Sequence, residues 1–195
     1  GSGCAAMEGF NRQHAVLGTS DACIATYHGD FAQALVALGA TIDIEGRRGR
    51  RTLAFAKLHR RPGETPNIET DLAADELITA IEVPLEPWSR RSRYLKIRDR
   101  ESYAFALASA AVALDMDGET VRSARIALGG VATVPWRARG AEDTLKGKVL
   151  DESAAQAAAD VAFADAKPRE HNAFKISLGK RTLVRALLET REMKV

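Results

Sequence analysis

The chain has 195 residues, of which 46% are hydrophobic, with 28 basic and 26 acidic side chains. That length and composition suffice for a buried core, in one domain or in two small ones. The formal net charge of only +2 argues against a dedicated nucleic-acid-binding protein, which usually carries a clear basic excess, and no apolar run approaches the roughly 20 residues that span a bilayer.

The first half of the chain, residues 1–87, predicts one helix and several short strands. The segment FAQALVAL places apolar side chains at helical spacing, with Asp30 as a candidate N-cap and Gly39 as a candidate end. The following ATIDIEG alternates as a strand does. An arginine-rich loop at residues 47–51, the segment TLAFAKL and the linker HRRPGETPN come next, and DELITAIEVP closes the half.

The second half, residues 88–195, predicts a meander of antiparallel strands followed by three helices. Residues 93–98 alternate as a strand does, and residues 121–128 supply the arm after an Asp117-Gly118 turn. The arm before that turn is ambiguous, because its alanines favour a helix whereas its position favours a strand. The predicted helices are 135–145, 152–166 after a candidate Asp151 cap, and 173–192 after a candidate Asn172 cap. The predicted fold class is α+β.

The two cysteines, Cys4 and Cys23, do not by themselves indicate a metal site. Iron–sulfur clusters usually need four cysteine ligands. On spacing alone both are interpreted as reduced thiols, one exposed and one on a buried strand. The four histidines are scattered without HxH or HExxH spacing, so the sequence predicts no histidine ligand or base.

The stretch from residue 93 to 142, RYLKIRDRESYAFALASAAVALDMDGETVRSARIALGGVATVPWRARGAE, resembles part of a known family. It is similar to the C-terminal region of the FAD-binding medium subunit of molybdenum hydroxylases, the xanthine dehydrogenase and carbon monoxide dehydrogenase flavoproteins. The run GGVATVPWRA, which begins at Gly129, matches the family's GGVAxxPxRA and is interpreted as a strand end that leads into a helix. The resemblance implies that residues 1–87 are the distal part, or second subdomain, of the FAD-binding domain. Residues 88–195 would be the family's C-terminal domain, a small antiparallel sheet packed against three helices.

The resemblance also implies which residues bind the flavin. Asp30 would accept hydrogen bonds from the flavin ring and could at the same time cap its helix. Lys96 would stabilise negative charge on the reduced ring, the alternative being a solvated strand lysine. Ile78 would pack on the isoalloxazine, the alternative being an ordinary core isoleucine. Tyr103, in the RDRESYAF loop, would lie close to the flavin in a loop that controls access.

Residues 1–30 resemble the cluster-bearing branch of the family, which includes bacterial aldehyde oxidoreductases of the periplasmic aldehyde oxidase type. In that branch an insertion carries a [4Fe–4S] cluster held by four cysteines, the last two lying before and after an NRxHA sequence. Here NRQHA occupies residues 11–15, and Cys4 and Cys23 match those two positions. The other two ligands and the loops that hold the FAD pyrophosphate lie upstream in the family. This chain alone is therefore expected to bind FAD weakly or not at all.

The implied function is flavin-mediated electron transfer as a subunit of an enzyme. Electrons would pass from a molybdenum cofactor in a large subunit through [2Fe–2S] centres in a small subunit to FAD, in a heterotrimer without membrane or nucleic-acid partners. The N-terminus does not start with Met and lacks the regions of a signal peptide. We therefore expect a fragment, a processed product or an engineered chain, in the cytoplasm or co-exported to the periplasm with a partner. The alternatives are a truncated assembly module that docks without FAD and a basic surface-binding domain, which the charge balance disfavours.

Overall fold

A computed structural model of the chain describes residues 3–195. Two antiparallel sheets, five α-helices and one 3₁₀ turn at Phe55–Lys57 make up the regular structure of that range, which confirms the α+β prediction. The strands are β1 Thr41–Gly46, β2 Gly49–Ala54, β3 Leu77–Glu82, β4 Ser92–Ile97, β5 Ala108–Asp117, β6 Thr120–Gly129 and β7 Trp136–Arg137. The helices are α1 Phe31–Leu38, α2 Pro87–Arg90, α3 Arg139–Leu145, α4 Glu152–Ala162 and α5 Phe174–Arg191.

The first sheet has the order β2-β1-β3 and packs its buried side chains under α1. Helix α1 begins and ends where the sequence predicts, and Gly39 closes it in the left-handed conformation with φ 71°. The prediction that Asp30 caps this helix is wrong, because its side chain makes no cap hydrogen bond. The prediction of an arginine-rich loop at residues 47–51 is also wrong in part. Gly46 pairs with Gly49, so the arginines lie on a tight hairpin and its second strand.

The second sheet has the order β4-β5-β6-β7 and confirms the predicted meander. Its ambiguous arm is the central strand β5, which pairs with β6 across the Asp117-Gly118 turn. Residues 108–114 are buried on both faces of the sheet. Ala111 packs in the core beneath α1, whereas Ala110 and Val112 face the core formed with α4 and α5. Alanines suit this strand because small side chains let helices approach it from both sides.

The helices of the C-terminal part depart from the sequence prediction at three points. Helix α4 ends at Ala162 and not at the predicted residue 166. Trp136 and Arg137 pair with β6 as strand β7, so α3 begins at Arg139 and the predicted Pro135 start is wrong. Asp151 caps α4 as predicted, since its carboxylate accepts a 2.7 Å hydrogen bond from the Ala154 N–H. The predicted Asn172 cap is wrong, because that side chain bonds elsewhere.

Residues 11–17 are bound to the start of α5 and to the core that the second sheet forms with α3, α4 and α5. We call that core the second core. The Asn172 amide donates to the Ala15 carbonyl at 3.2 Å, and Val16 is fully buried in the second core.

Lys175, in the first turn of α5, is also fully buried and donates to the carbonyls of Gln13 and Gly130, each at 2.7 Å. Burial, together with the charge of Arg12, lowers the pKa of Lys175 to about 8. We call this set of hydrogen bonds the α5 clamp.

None of the helices in the described range is long and apolar enough to cross a membrane.

Candidate functional site

Three polar side chains from distant parts of the sequence meet above the second sheet. The Asp30 carboxylate accepts a 2.6 Å hydrogen bond from the Tyr94 hydroxyl on Oδ1 and a 2.6 Å bond from the Lys96 ammonium on Oδ2. Asp30 immediately precedes α1, while Tyr94 and Lys96 lie two residues apart on β4 and therefore on the same face of that strand. We call this arrangement the Asp30 site.

The sequence-based alternative for Lys96, a solvated strand lysine, is wrong. Only 18% of its side chain is exposed, against 45% for the Asp30 carboxylate that it binds. An ionised carboxylate offers about four acceptor positions, and two of those on Asp30 are used. The remaining positions point to no described partner, so a half-exposed Asp30 is able to accept a further N–H donor from a ligand.

The electrostatics of the site keep Asp30 ionised. Partial burial acts to raise the pKa of Asp30, but hydrogen bonds from Lys96 and Tyr94 and the charges of Lys96 and Arg98 outweigh it. The pKa of Asp30 therefore lies below its ordinary value. Burial, reinforced by the hydrogen bond to Asp30, raises the pKa of Tyr94, so its hydroxyl remains a donor near neutral pH.

Ile78 lies on β3, an edge strand of the first sheet whose six residues are all exposed. It pairs in register with Ile44 and is itself 39% exposed. Ile78 is therefore not a core residue in the part of the chain that the structure describes, and the alternative of an ordinary core isoleucine is wrong. An exposed apolar side chain on an uncovered strand is suited to contact a planar aromatic ligand or a further layer of protein.

Tyr103 lies in the loop between β4 and β5, and 95% of it is exposed. Its φ of 54° is the only positive value for a non-glycine residue in the described range, a strained conformation that costs on the order of 1 kcal/mol. Two nitrogens of the Arg100 guanidinium, Nε and Nη2, donate to the Tyr103 carbonyl, Nε at 3.1 Å. At the start of the same loop, Asp99 accepts two hydrogen bonds from Arg12, at 2.8 and 2.9 Å, so the NRQHA segment is joined to the loop.

Cys4 and Cys23 are free thiols, and both are partly buried. Neither lies on a strand, so the interpretation of one as a strand residue is wrong. Cys23 accepts a 3.3 Å hydrogen bond from the Ala25 N–H and lines a cavity of about 220 Å³ together with Tyr27 and His59. Among residues 3–195 there is no group of three or more histidine, cysteine or acidic side chains placed to hold a metal. Two thiols supply half of the set that a [4Fe–4S] cluster usually needs.

The structure thus brings together Asp30 and Lys96 of the predicted residues, and it adds Tyr94. The sequence did not indicate Tyr94 as a site residue. The available signal is its position two residues before the candidate strand lysine Lys96, which places both side chains on the same face of the strand. Ile78 and Tyr103 lie on the first sheet and on the β4–β5 loop, respectively.

Comparison with known families matches almost all of the chain. Residues 11–86 match the FAD binding domain in molybdopterin dehydrogenase, and residues 93–190 match the CO dehydrogenase flavoprotein C-terminal domain. Together with the fold, these matches define the flavoprotein class of the molybdopterin dehydrogenases.

Two individual relatives indicate which kind of subunit within this class the chain is similar to. The aldehyde oxidoreductase FAD-binding subunit PaoB of Escherichia coli is 47% identical over 192 residues, which is 98% of this chain and 57% of that protein. The carbon monoxide dehydrogenase medium chain of Hydrogenophaga pseudoflava is 33% identical over 69% of this chain and 45% of its own length. The chain therefore belongs to the FAD-binding medium subunits of the molybdenum hydroxylase family, as its resemblance predicted.

Solved structures agree with this assignment. Quinoline 2-oxidoreductase of Pseudomonas putida superposes with a TM-score of 0.72 at 29% identity, over 92% of this chain and 58% of that one. CO dehydrogenase of Oligotropha carboxidovorans superposes with a TM-score of 0.73 at 28% identity, over 83% of this chain and 56% of that one. The chain spans about half the length of the curated relatives that it matches.

Proposed function

We propose that this chain is the C-terminal portion of the flavin subunit of a molybdenum-containing aldehyde- or xanthine-type oxidoreductase. It would receive electrons from iron–sulfur centres through FAD and deliver them to an acceptor. The observation that carries the proposal is the Asp30 carboxylate held by Lys96, in a chain 47% identical to an aldehyde oxidoreductase FAD-binding subunit. An anionic acceptor beside a cation is suited to bind a flavin ring, whose imide donates a proton in a hydrogen bond and whose reduction adds negative charge.

The proposed roles follow from the geometry of the chain's own side chains. Asp30 would accept the imide N–H of the ring, and Lys96 would place its positive charge beside the ring while holding Asp30 in position. Ile78 would pack its exposed side chain against the ring, and Tyr103 would limit access from the β4–β5 loop. FAD supplies the electron-accepting chemistry when it is bound, and these residues bind and orient it.

The domain organisation and the partners belong to the same proposal. Residues 1–87 would form the second FAD subdomain and residues 88–195 the C-terminal domain, in line with the two family matches at residues 11–86 and 93–190. The subunit would assemble with a [2Fe–2S] small subunit and a molybdenum cofactor large subunit as a heterotrimer. Its compartment would be the cytoplasm, or the periplasm through co-export with a partner.

Lys96→Met tests the flavin role in the protein expressed from the complete reading frame. The change removes a cation that would favour the reduced flavin. We therefore expect the flavin midpoint potential to fall, by the equivalent of about 1–2 kcal/mol. Spectroelectrochemical titration measures the potential, and Lys148→Met, which alters an exposed lysine, serves as the control. An unchanged potential in Lys96→Met contradicts the role of Lys96, and a folded protein without a flavin absorbance band supports the assembly-module alternative.

We further propose that Cys4 and Cys23 are two of the four ligands of a [4Fe–4S] cluster, the other two coming from residues outside this sequence. The support is their position on either side of NRQHA, as in the cluster-bearing branch that residues 1–30 resemble. Cys4→Ser and Cys23→Ser, each made in the protein from the complete reading frame, are expected to lower its iron and acid-labile sulfide content. Iron content equal to that of the unaltered protein in both variants would eliminate the pair as ligands.

A further inference from the structure

We propose that Tyr94 is a positioning residue, which fixes the orientation of the Asp30 carboxylate so that its free acceptor positions face the ligand. The inference rests on the proposed flavin function, since it concerns the residue that would meet the flavin imide. Tyr94 is not among the residues proposed to contact the flavin, so the inference assigns a role to a further side chain.

The hydrogen bonds at Asp30 constrain the plane of the carboxylate. Tyr94 binds Oδ1 and Lys96 binds Oδ2, each at 2.6 Å. A single donor would leave the carboxylate free to rotate about its Cβ–Cγ bond, whose torsion is broad in isolation. Two donors on two different oxygens remove that freedom. Because Asp30 makes no helix-cap bond, this pair of donors replaces the constraint that a cap would have given.

Tyr94 is the more rigid of the two donors. It packs against the core that α1 and the first sheet form, and its backbone pairs with Ala111 on the central strand β5. A tyrosine ring has two side-chain torsions, whereas the lysine stem has four. The position of the carboxylate is therefore set mainly by Tyr94, and Lys96 follows it.

The core next to Tyr94 is polar where an apolar core would be expected. Ser109 and Gln33 are buried, and neither the Ser109 hydroxyl nor the Gln33 amide makes a hydrogen bond that meets ordinary distance and angle limits. A side chain at Gly129 would lie 2.5 Å from both, so the glycine makes room for the pair.

The Ser109 hydroxyl acts on Tyr94 by opposing the rise in its pKa that burial and Asp30 cause. An ionised carboxylate can only accept, so the Tyr94 hydroxyl is the donor in its hydrogen bond to Asp30.

The first test needs no flavin and measures the Asp30 carboxyl itself. In the chain with ¹³C-labelled aspartate side chains, the Asp30 signal is assigned with Asp30→Asn and titrated with pH. Tyr94→Phe removes one donor, and the facing cations Lys96 and Arg98 remain, so the pKa of Asp30 is expected to rise. Tyr27→Phe is the matched control, because Tyr27 packs against the same core and its hydroxyl makes no hydrogen bond in the described range. An Asp30 titration that is the same in Tyr94→Phe and in the unaltered chain overturns the proposal.

A second variant covers the case in which Tyr94→Phe does not fold. Site-specific incorporation of 3-fluorotyrosine at position 94 keeps the ring and makes the hydroxyl a stronger donor. The pKa of Asp30 is then expected to fall, and an unchanged value overturns the proposal.

The second test uses the flavin-loaded protein from the complete reading frame. Loss of orientation at Asp30 is expected to weaken FAD binding by Tyr94→Phe about tenfold, with Tyr27→Phe unchanged and the free energy of unfolding of the two variants alike. If Tyr94→Phe shifts the Asp30 titration but the unaltered protein binds no FAD, the flavin function fails while the positioning role of Tyr94 toward Asp30 stands. If FAD binds equally to the unaltered protein and to Tyr94→Phe, the positioning role fails while the flavin function stands.

Discussion

Gly130→Ala is expected to lower the free energy of unfolding by about 3 kcal/mol or more. Gly130 has a φ of 70°, where a side chain is strained, and an added Cβ would lie 2.6 Å from the Ala106 carbonyl oxygen. That oxygen is backbone at the entry to β5, so it cannot move aside as the end of a flexible side chain would. The Gly130 carbonyl is also one of the two acceptors for Lys175, so a shift of this backbone also disturbs the α5 clamp.

Urea unfolding followed by circular dichroism measures the loss, with Gly147→Ala as the matched control. Gly147 has a φ of 76°, but a Cβ added there would meet no described atom within 4 Å. It therefore isolates the cost of the backbone conformation, about 1 kcal/mol. The difference between the two variants reports the steric contact at Gly130. Equal losses would mean that the chain near Ala106 relaxes freely, contrary to this expectation.

Lys175→Met is expected to remove a rise in stability that the unaltered chain shows at alkaline pH. The folded-state pKa of Lys175 is about 8, below its ordinary value of 10.5. Between those two values the unfolded chain binds more protons at this position than the folded chain does, so the free energy of unfolding rises with pH. The contribution amounts to about 2 kcal/mol between pH 7 and pH 9.5.

The measurement is urea unfolding at several pH values up to 9.5. Tyrosines of the unfolded chain begin to ionise near that pH, but they are the same in all the proteins compared and cancel in the differences. Lys180→Met is the control, since Lys180 lies on the same helix but pairs with Asp160 at a partly exposed position. The difference in stability between the unaltered chain and Lys175→Met should grow with pH, while the difference from Lys180→Met should stay nearly constant. Parallel pH profiles for all three proteins would show that the buried ammonium does not titrate as its surroundings imply.

Local sequence signals predicted much of the fold. Helix α1, with Gly39 at its end, and the Asp151 cap of α4 follow from chemistry within a few residues. These local signals failed where a contact between residues far apart in sequence determines the structure. Arg137 is extended in β7 and donates to the Val36 carbonyl at 2.9 Å, a contact 101 positions away in sequence that no local pattern contains.

The same distinction holds for the candidate site. Family resemblance indicated Asp30 and Lys96, and the structure joins them. Composition and spacing alone could not have paired them, because 66 positions separate the two residues. The N-cap that local rules assign to Asp30 was wrong for the same reason, since the side chain is drawn to Tyr94 and Lys96 on the second sheet.

The α5 clamp also has a consequence for the order in which the chain folds. Gln13 and Ala15 are synthesised about 160 positions before Lys175 and Asn172, the residues that bind them. During translation the early segment must therefore remain without these partners until the last helix has emerged. Contacts between residues so far apart in sequence form slowly, because closing the long intervening loop costs entropy. The segment that carries Cys4 and Cys23 is therefore expected to become ordered among the last events of folding.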